Sequence, residues 1–153
     1  MSILPHIDHS NRGFMRRWWA NVPLRWSLLY IEDNLSNLRL IERIFENRSD
    51  IKLVAAMQSN LGLDLAREHR PDLILLDLNL PDISGNEVLR RLKGELVTGD
   101  IPVVVVSADA TPRQVERLKA AGASDYLVKP IDVKNFLSVV EKTLGRKEPA
   151  PVA

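Results

Sequence analysis

A chain of 153 residues with 45% apolar and 27% charged side chains has the material for one sizeable core and a well-solvated surface. A net charge of +1 gives no global argument for nucleic-acid binding, and the lack of cysteine excludes a disulfide framework and thiol chemistry. No apolar run approaches the ~20 residues that span a bilayer, and the first residues lack the unbroken apolar segment of a secretory signal, so the expected location is cytoplasmic.

Residues 1–26 read as an irregular basic and aromatic tail. Arg12, Arg16, Arg17 and Arg25 outnumber Asp8, with Trp18, Trp19 and Trp26 among them, while Pro5 and Pro23 break any periodicity. Such a segment is either a plain extension or a strip that lies on an anionic membrane surface or a partner. Regular patterning begins at Ser27. Residues 27–144 are expected to form the folded domain, and 145–153 a second tail.

Ser27–Ile31 reads as a short apolar strand ending in Glu32-Asp33-Asn34, and Leu35, Leu38, Ile41, Ile44 and Phe45 follow at helical spacing. Ile51–Ala55 is a second strand. Ser59–His69 is a second helix with Leu61, Leu65 and Ala66 on its apolar face, stopped by Arg70-Pro71. Leu73-Ile74-Leu75-Leu76 then runs straight into Asp77 and a Pro/Asp/Ser/Gly loop, the pattern of a strand buried on both faces. Ser84 and Glu87 have the spacing of a capping box before Val88, Leu89 and Leu92. Ile101–Val106 is a β-branched fourth strand ending at Ser107. Thr111, Pro112 and Gln114 open a fourth helix that Gly122 is placed to end. Asp125–Val128 is a short fifth strand before Lys129-Pro130, and Asp132 begins a last helix carrying Phe136, Val140 and Leu144, closed by Gly145.

Five strands alternating with five helices imply an α/β, doubly wound (βα)5 fold, a parallel sheet with helices on both faces. In such a sheet the carboxyl ends of all strands share one edge, where ligands bind. That edge collects Glu32, Asp33, Asp77, Ser107 and Lys129. Like-charged carboxylates at ~4 Å repel by about 4 kcal/mol at an effective dielectric near 20, a cost that a divalent cation with oxygen ligands, Mg²⁺ above all, removes. Lys129 adds a point charge and Ser107 a hydroxyl, so a phosphoryl group attacked by Asp77 would find its charge spread over metal, ammonium and hydroxyl. Each element alone has a plainer reading: Glu32-Asp33 as helix caps, Lys129 as a surface lysine, Tyr126 as a half-buried edge residue. Their joint placement at successive strand ends carries the functional one. His6, His9 and His69 have no such placement.

From Leu28 to Leu144 the chain resembles the receiver domain of two-component response regulators. The resemblance rests on Tyr30-Ile31-Glu32-Asp33-Asn34, Leu76-Asp77-Leu78-Asn79-Leu80-Pro81-Asp82-Ile83-Ser84-Gly85, Val106-Ser107-Ala108 and Tyr126-Leu127-Val128-Lys129-Pro130. It implies a flavodoxin-like strand order 2-1-3-4-5. It also implies a phosphoaspartate at Asp77, formed from a histidine kinase or histidine phosphotransfer protein. Mg²⁺ (or Mn²⁺) would be held by Asp33, Asp77 and the Asn79 backbone carbonyl, with Glu32 helping through water. Lys129 would pair with the phosphoryl group beside a cis bond to Pro130. Ser107 and Tyr126 would switch inward, and Asn79 and Asp109 would set the phosphoryl lifetime. Glu32 and Ser107 stand where many relatives have Asp and Thr. The resemblance further implies signalling through the face of the fourth helix, fifth strand and fifth helix, toward an unknown downstream protein or a second copy in a homodimer, with no direct nucleic-acid contact. It implies no enzymatic turnover beyond the chain's own phosphorylation and slow dephosphorylation. Arg113, Glu116, Arg117 and Lys119 are expected on the exposed side of that fourth helix.

Only nine residues follow Leu144, too few for a DNA-binding fold. The expectation is therefore a stand-alone receiver, or the receiver module of a hybrid histidine kinase acting as phosphate relay or sink. Rival readings are weaker. An aspartyl-phosphate hydrolase of the haloacid-dehalogenase type wants an acid where Asn79 stands. A flavin module wants a Gly- or Ser/Thr-rich loop where acidic Glu32-Asp33-Asn34 stands. A degenerate scaffold would not need the complete constellation.

Overall fold

The computed structural model describes residues 26–145. The expected features of residues 1–25 and 146–153, including Trp18, Trp19, the tail arginines, His6 and His9, lie outside them. In chain order the elements are β1 (Trp26–Ile31), α1 (Leu35–Phe45), β2 (Ile51–Ala56), α2 (Ser59–His69), β3 (Leu73–Asp77), α3 (Gly85–Gly94), β4 (Val103–Ser107), α4 (Pro112–Ala120), β5 (Asp125–Val128) and α5 (Val133–Gly145). The sheet is parallel throughout in the order β2-β1-β3-β4-β5. Among the described residues no helix is long and apolar enough to cross a membrane.

Alternation along the strands builds two cores. Leu28, Tyr30, Leu73 and Leu75 face α1 and α5, packing on residues such as Ile41 and Phe136. Leu29, Ile31, Ile74 and Leu76 face α2, α3 and α4. β3 and β4 are buried at every position, as central strands of a parallel sheet must be.

Several local expectations are corrected. Trp26 belongs to β1, where it pairs with Ile51, rather than to the tail. β4 starts at Val103, because Pro102 has no N–H to give the ladder; its carbonyl accepts from Ile74 N instead. Gly145 is the last residue of α5, and Asp132 precedes it with its carbonyl taking the Phe136 amide. The buried face of α2 is Ser59, Gly62, Leu63 and Ala66, while Leu61 is exposed. Small residues do apolar duty there because the helix comes so close that a Cβ on Gly62 would sit 2.6 Å from Ile31. Arg70 leaves α2 in the left-handed region (φ 44°) rather than extended.

Both helix-start boxes form only half. Ser84 accepts the Glu87 amide at 3.3 Å, but the Glu87 carboxylate goes forward to Arg90 and Arg91, one turn on. Thr111 accepts the Gln114 amide, while its own amide is taken by Asp109 at 3.0 Å, the place a box partner would fill. Gly122 ends α4 as expected, with φ 108°.

Candidate functional site

Strand register brings the site together. Ile31 lies opposite Leu76, Asp77 opposite Val106, and Ser107 opposite Val128. The next residues on β1, β4 and β5 are therefore Glu32, Ser107 and Lys129, ranged around Asp77 at the carboxyl edge. Asp77 is 1% exposed and Glu32 fully buried, while Asp33 projects into solvent. Oxygens of all three lie within 4.8 Å of one another. At that separation each like-charged pair repels by about 3–4 kcal/mol at an effective dielectric near 20.

Lys129 offsets part of this. Its Nζ donates to Glu32 Oε1 and Asp77 Oδ1, both at 3.1 Å, and its amide donates to the Ser107 carbonyl at 2.9 Å, which ties the end of β5 to β4. The Lys129–Pro130 peptide bond is cis. Asp77 Oδ1 also accepts the Asn79 amide at 3.3 Å.

Glu32 Oε1 further accepts from Asn37 Nδ2 at 2.8 Å and Tyr30 Oη at 3.1 Å, whereas its Oε2 is buried with no hydrogen-bond partner among the described residues. Burial, then the neighbouring Glu32, push the Asp77 carboxyl up to about 6 against the pull of Lys129. Burial pushes Glu32 up as well, but Asp77, Asn37 and Lys129 together hold it below the usual carboxylate range. Burial, then the charge of Glu32, push the Tyr30 phenol far up, so it stays a donor.

A family description, response regulator receiver domain, matches residues 28–141. The chain belongs to that family. Among curated proteins it is similar to the polar-differentiation response regulator DivK of Brucella anthropi, with 40% identity over 119 residues that cover 78% of this chain and 96% of DivK. DivK of Brucella ovis is 39% identical over the same length. Among solved structures, the receiver domain of a LuxO repressor protein from Vibrio parahaemolyticus superposes with a TM-score of 0.73 at 28% identity, over 80% of this chain and 92% of that one. The receiver domain of the Pseudomonas aeruginosa sensor histidine kinase PA1611, which holds a magnesium ion in its active-site cleft, gives 0.71 at 24% identity, over 79% and 98%. The chain is thus a receiver of two-component signalling, with the doubly wound fold and the strand order 2-1-3-4-5 that the resemblance implied.

The rest of the receiver's site is tied more loosely. Ser107 is 4% exposed; its Oγ accepts only the Asp109 amide, at 3.2 Å. The Tyr126 ring packs on the α2–α3–α4 side of the sheet, and its hydroxyl is buried without a hydrogen bond among the described residues. Asn79 and Asp109 are exposed in their loops. Arg113, Glu116, Arg117 and Lys119 are exposed on α4, which buries Leu118 alone.

Sequence reasoning missed four residues. Tyr30 and Asn37 hold Glu32; the signals were a tyrosine within an aliphatic strand and a second asparagine three residues after Asn34, which is the actual cap of α1. Asp82 bolts the β3–α3 loop to α2 by accepting the Ser59 and Asn60 amides at 2.9 and 3.1 Å, and the acceptor role pulls its carboxyl well down. Gly85 has no room for a side chain, since a Cβ would lie 2.5 Å from the Asp77 carbonyl oxygen and from Leu78 Cα.

Proposed function

We propose that this receiver accepts a phosphoryl group on Asp77 from the phosphohistidine of a histidine kinase or phosphotransfer protein. The observation that carries the reading is the buried Asp77 carboxylate at the carboxyl edge of the sheet, bridged by Lys129 to Glu32 and clustered with Asp33.

The donor set fits a small hard cation. Three carboxylates supply oxygen alone, and one buried oxygen, Glu32 Oε2, is bare. Asp33, Asp77 and the Asn79 backbone carbonyl would hold Mg²⁺ (or Mn²⁺), with Glu32 acting through water. Bound there, the cation supplies charge neutralisation for the carboxylates and the transferring phosphoryl oxygens.

The protein's own groups do the rest. With its carboxyl at about 6, Asp77 is mostly ionised at neutral pH and nucleophilic. One of its oxygens bonds to phosphorus as the P–N bond to the donor imidazole breaks, and that electron pair returns to the ring nitrogen. Phosphorylation replaces one charge by roughly two and adds strong acceptors. Lys129 turns its ammonium to these, Ser107 donates its hydroxyl, and Tyr126 follows. The altered α4–β5–α5 face then engages a downstream protein or a second copy. Asn79 and Asp109, beside the phosphoryl group, govern how soon water removes it. The chain acts on itself and turns over no separate substrate.

The test is phosphoryl transfer to the purified chain from a phosphohistidine donor or acetyl phosphate with Mg²⁺. The wild type should be labelled, Asp77→Asn should not, and chelation should stop the reaction. Label on the Asp77→Asn protein refutes the assignment.

A further inference from the structure

The two oxygens of Glu32 live in different worlds. Oε1 accepts three hydrogen bonds, from Asn37 at 2.8 Å and from Tyr30 and Lys129 at 3.1 Å each. Oε2 is buried and accepts none. A carboxylate oxygen has about two lone-pair sites, so Oε1 is saturated. A buried polar atom left bare costs about 1–3 kcal/mol, and more when charged. Left to itself the carboxylate would share its donors between both oxygens.

The three donors also differ in kind. Lys129 bonds Asp77 too, and a phosphoryl group on Asp77 competes for it. Tyr30 and Asn37 have no such rival. Tyr30 rises from the fully buried floor of β1. Asn37 stands in the first turn of α1, where its amide is fixed by Asn34 Oδ1 at 3.1 Å. Both are neutral, and both come from β1 and α1, elements that carry neither Ser107 nor Tyr126.

We infer that Tyr30 and Asn37 are positioning residues that clamp Glu32 by Oε1 and so reserve Oε2 for the cation and its water, in the presence or absence of Lys129. This rests on the proposed function, since the cation belongs to the phosphoryl chemistry. The clamp makes the longer side chain of Glu act as a fixed ligand instead of a mobile one.

The experiment is cation affinity of the unphosphorylated full chain, by calorimetry with Mg²⁺ and by electron paramagnetic resonance with Mn²⁺. Tyr30→Phe, which deletes one hydroxyl, and Asn37→Ala, at a half-buried position that tolerates truncation, should each weaken binding about tenfold, the lower end of the range for groups that orient metal ligands. In a Glu32→Ala background Tyr30→Phe should change nothing further, because the route through Glu32 is gone. Phe136→Leu, at a fully buried ring against Phe45, should lower the melting temperature and leave affinity within about twofold, which separates positioning from packing. The inference is overturned if both single variants bind cation as the wild type does, or if Tyr30→Phe costs as much without Glu32 as with it. Label on Asp77 is read on the same samples. Failure of the wild type to take it strikes the functional reading, whereas normal labelling with unaltered affinities strikes the clamp alone.

Discussion

The two flanks of Asp77 are built differently. On the β1 side, Glu32 sits under three donors, from β1, from α1 and from the residue that follows β5, and is fully buried. On the β4–β5 side, Ser107 Oγ meets one amide, the Tyr126 hydroxyl meets nothing, and α4 rests on the sheet through Leu118. One flank is over-determined and the other under-determined. The proposed switch would need both: a fixed acidic cradle so that a phosphoryl group arrives in one geometry, and an adjoining surface held weakly enough for a new charge to move it.

The largest test of the cradle is Lys129→Ala. Removing the cation between two buried carboxylates should cost on the order of 3 kcal/mol in the absence of metal, with much of the loss recovered by Mg²⁺; denaturant titration with and without Mg²⁺ measures both. A loss that Mg²⁺ does not touch would mean that Lys129 serves packing alone. Gly85→Ala should follow at about 1–3 kcal/mol, because the Asp77 backbone must give way to the new methyl, and cation affinity should fall with it.

Next comes the pH profile. The Asp77 carboxyl lies near 6 in the folded chain, above its value of 3.8 in a model peptide. The folded state therefore binds more protons, and its contribution to stability is full below about pH 4 and lost as pH rises through about 6. Thermal melting without metal should show that decline in the wild type and not in Asp77→Asn. Parallel profiles would mean that burial and Glu32 do not raise the Asp77 carboxyl.

The comparison is sharpest at its two tyrosines. Tyr30 donates a hydrogen bond from full burial, so Tyr30→Phe should cost about 1–2 kcal/mol. Tyr126 buries a hydroxyl with no partner, so Tyr126→Phe should be neutral or stabilising by up to about 1 kcal/mol. Equal effects would erase the asymmetry. Smallest of all, Arg113→Ala on α4 should stay within about 0.5 kcal/mol, as exposed substitutions do.

Most of the frame was legible in the sequence because it depends on period and punctuation. The apolar run into Asp77, the β-branched stretch before Ser107 and the glycine after α4 each have a single local explanation. What escaped depends on competition between side chains. Glu87 had an amide within reach at Ser84, but arginines three and four residues on offered charge as well. Asp109 occupied the Thr111 amide before Gln114 did. Tyr30 counted as one more apolar strand residue, since a period of two puts it on the same side as Glu32 without saying that its phenol bonds the acid two residues on. Register, not spacing, brings Lys129 to Glu32 over 97 residues.

The most direct measurement is a structure of the chain with Mg²⁺ and beryllium fluoride, a stand-in for the phosphoryl group. The account predicts the adduct on Asp77, with Lys129 and Ser107 turned onto its fluorides and Glu32 Oε1 still held by Tyr30 and Asn37. An adduct elsewhere, or one on Asp77 with Ser107 still on the Asp109 amide and Glu32 displaced, would contradict it.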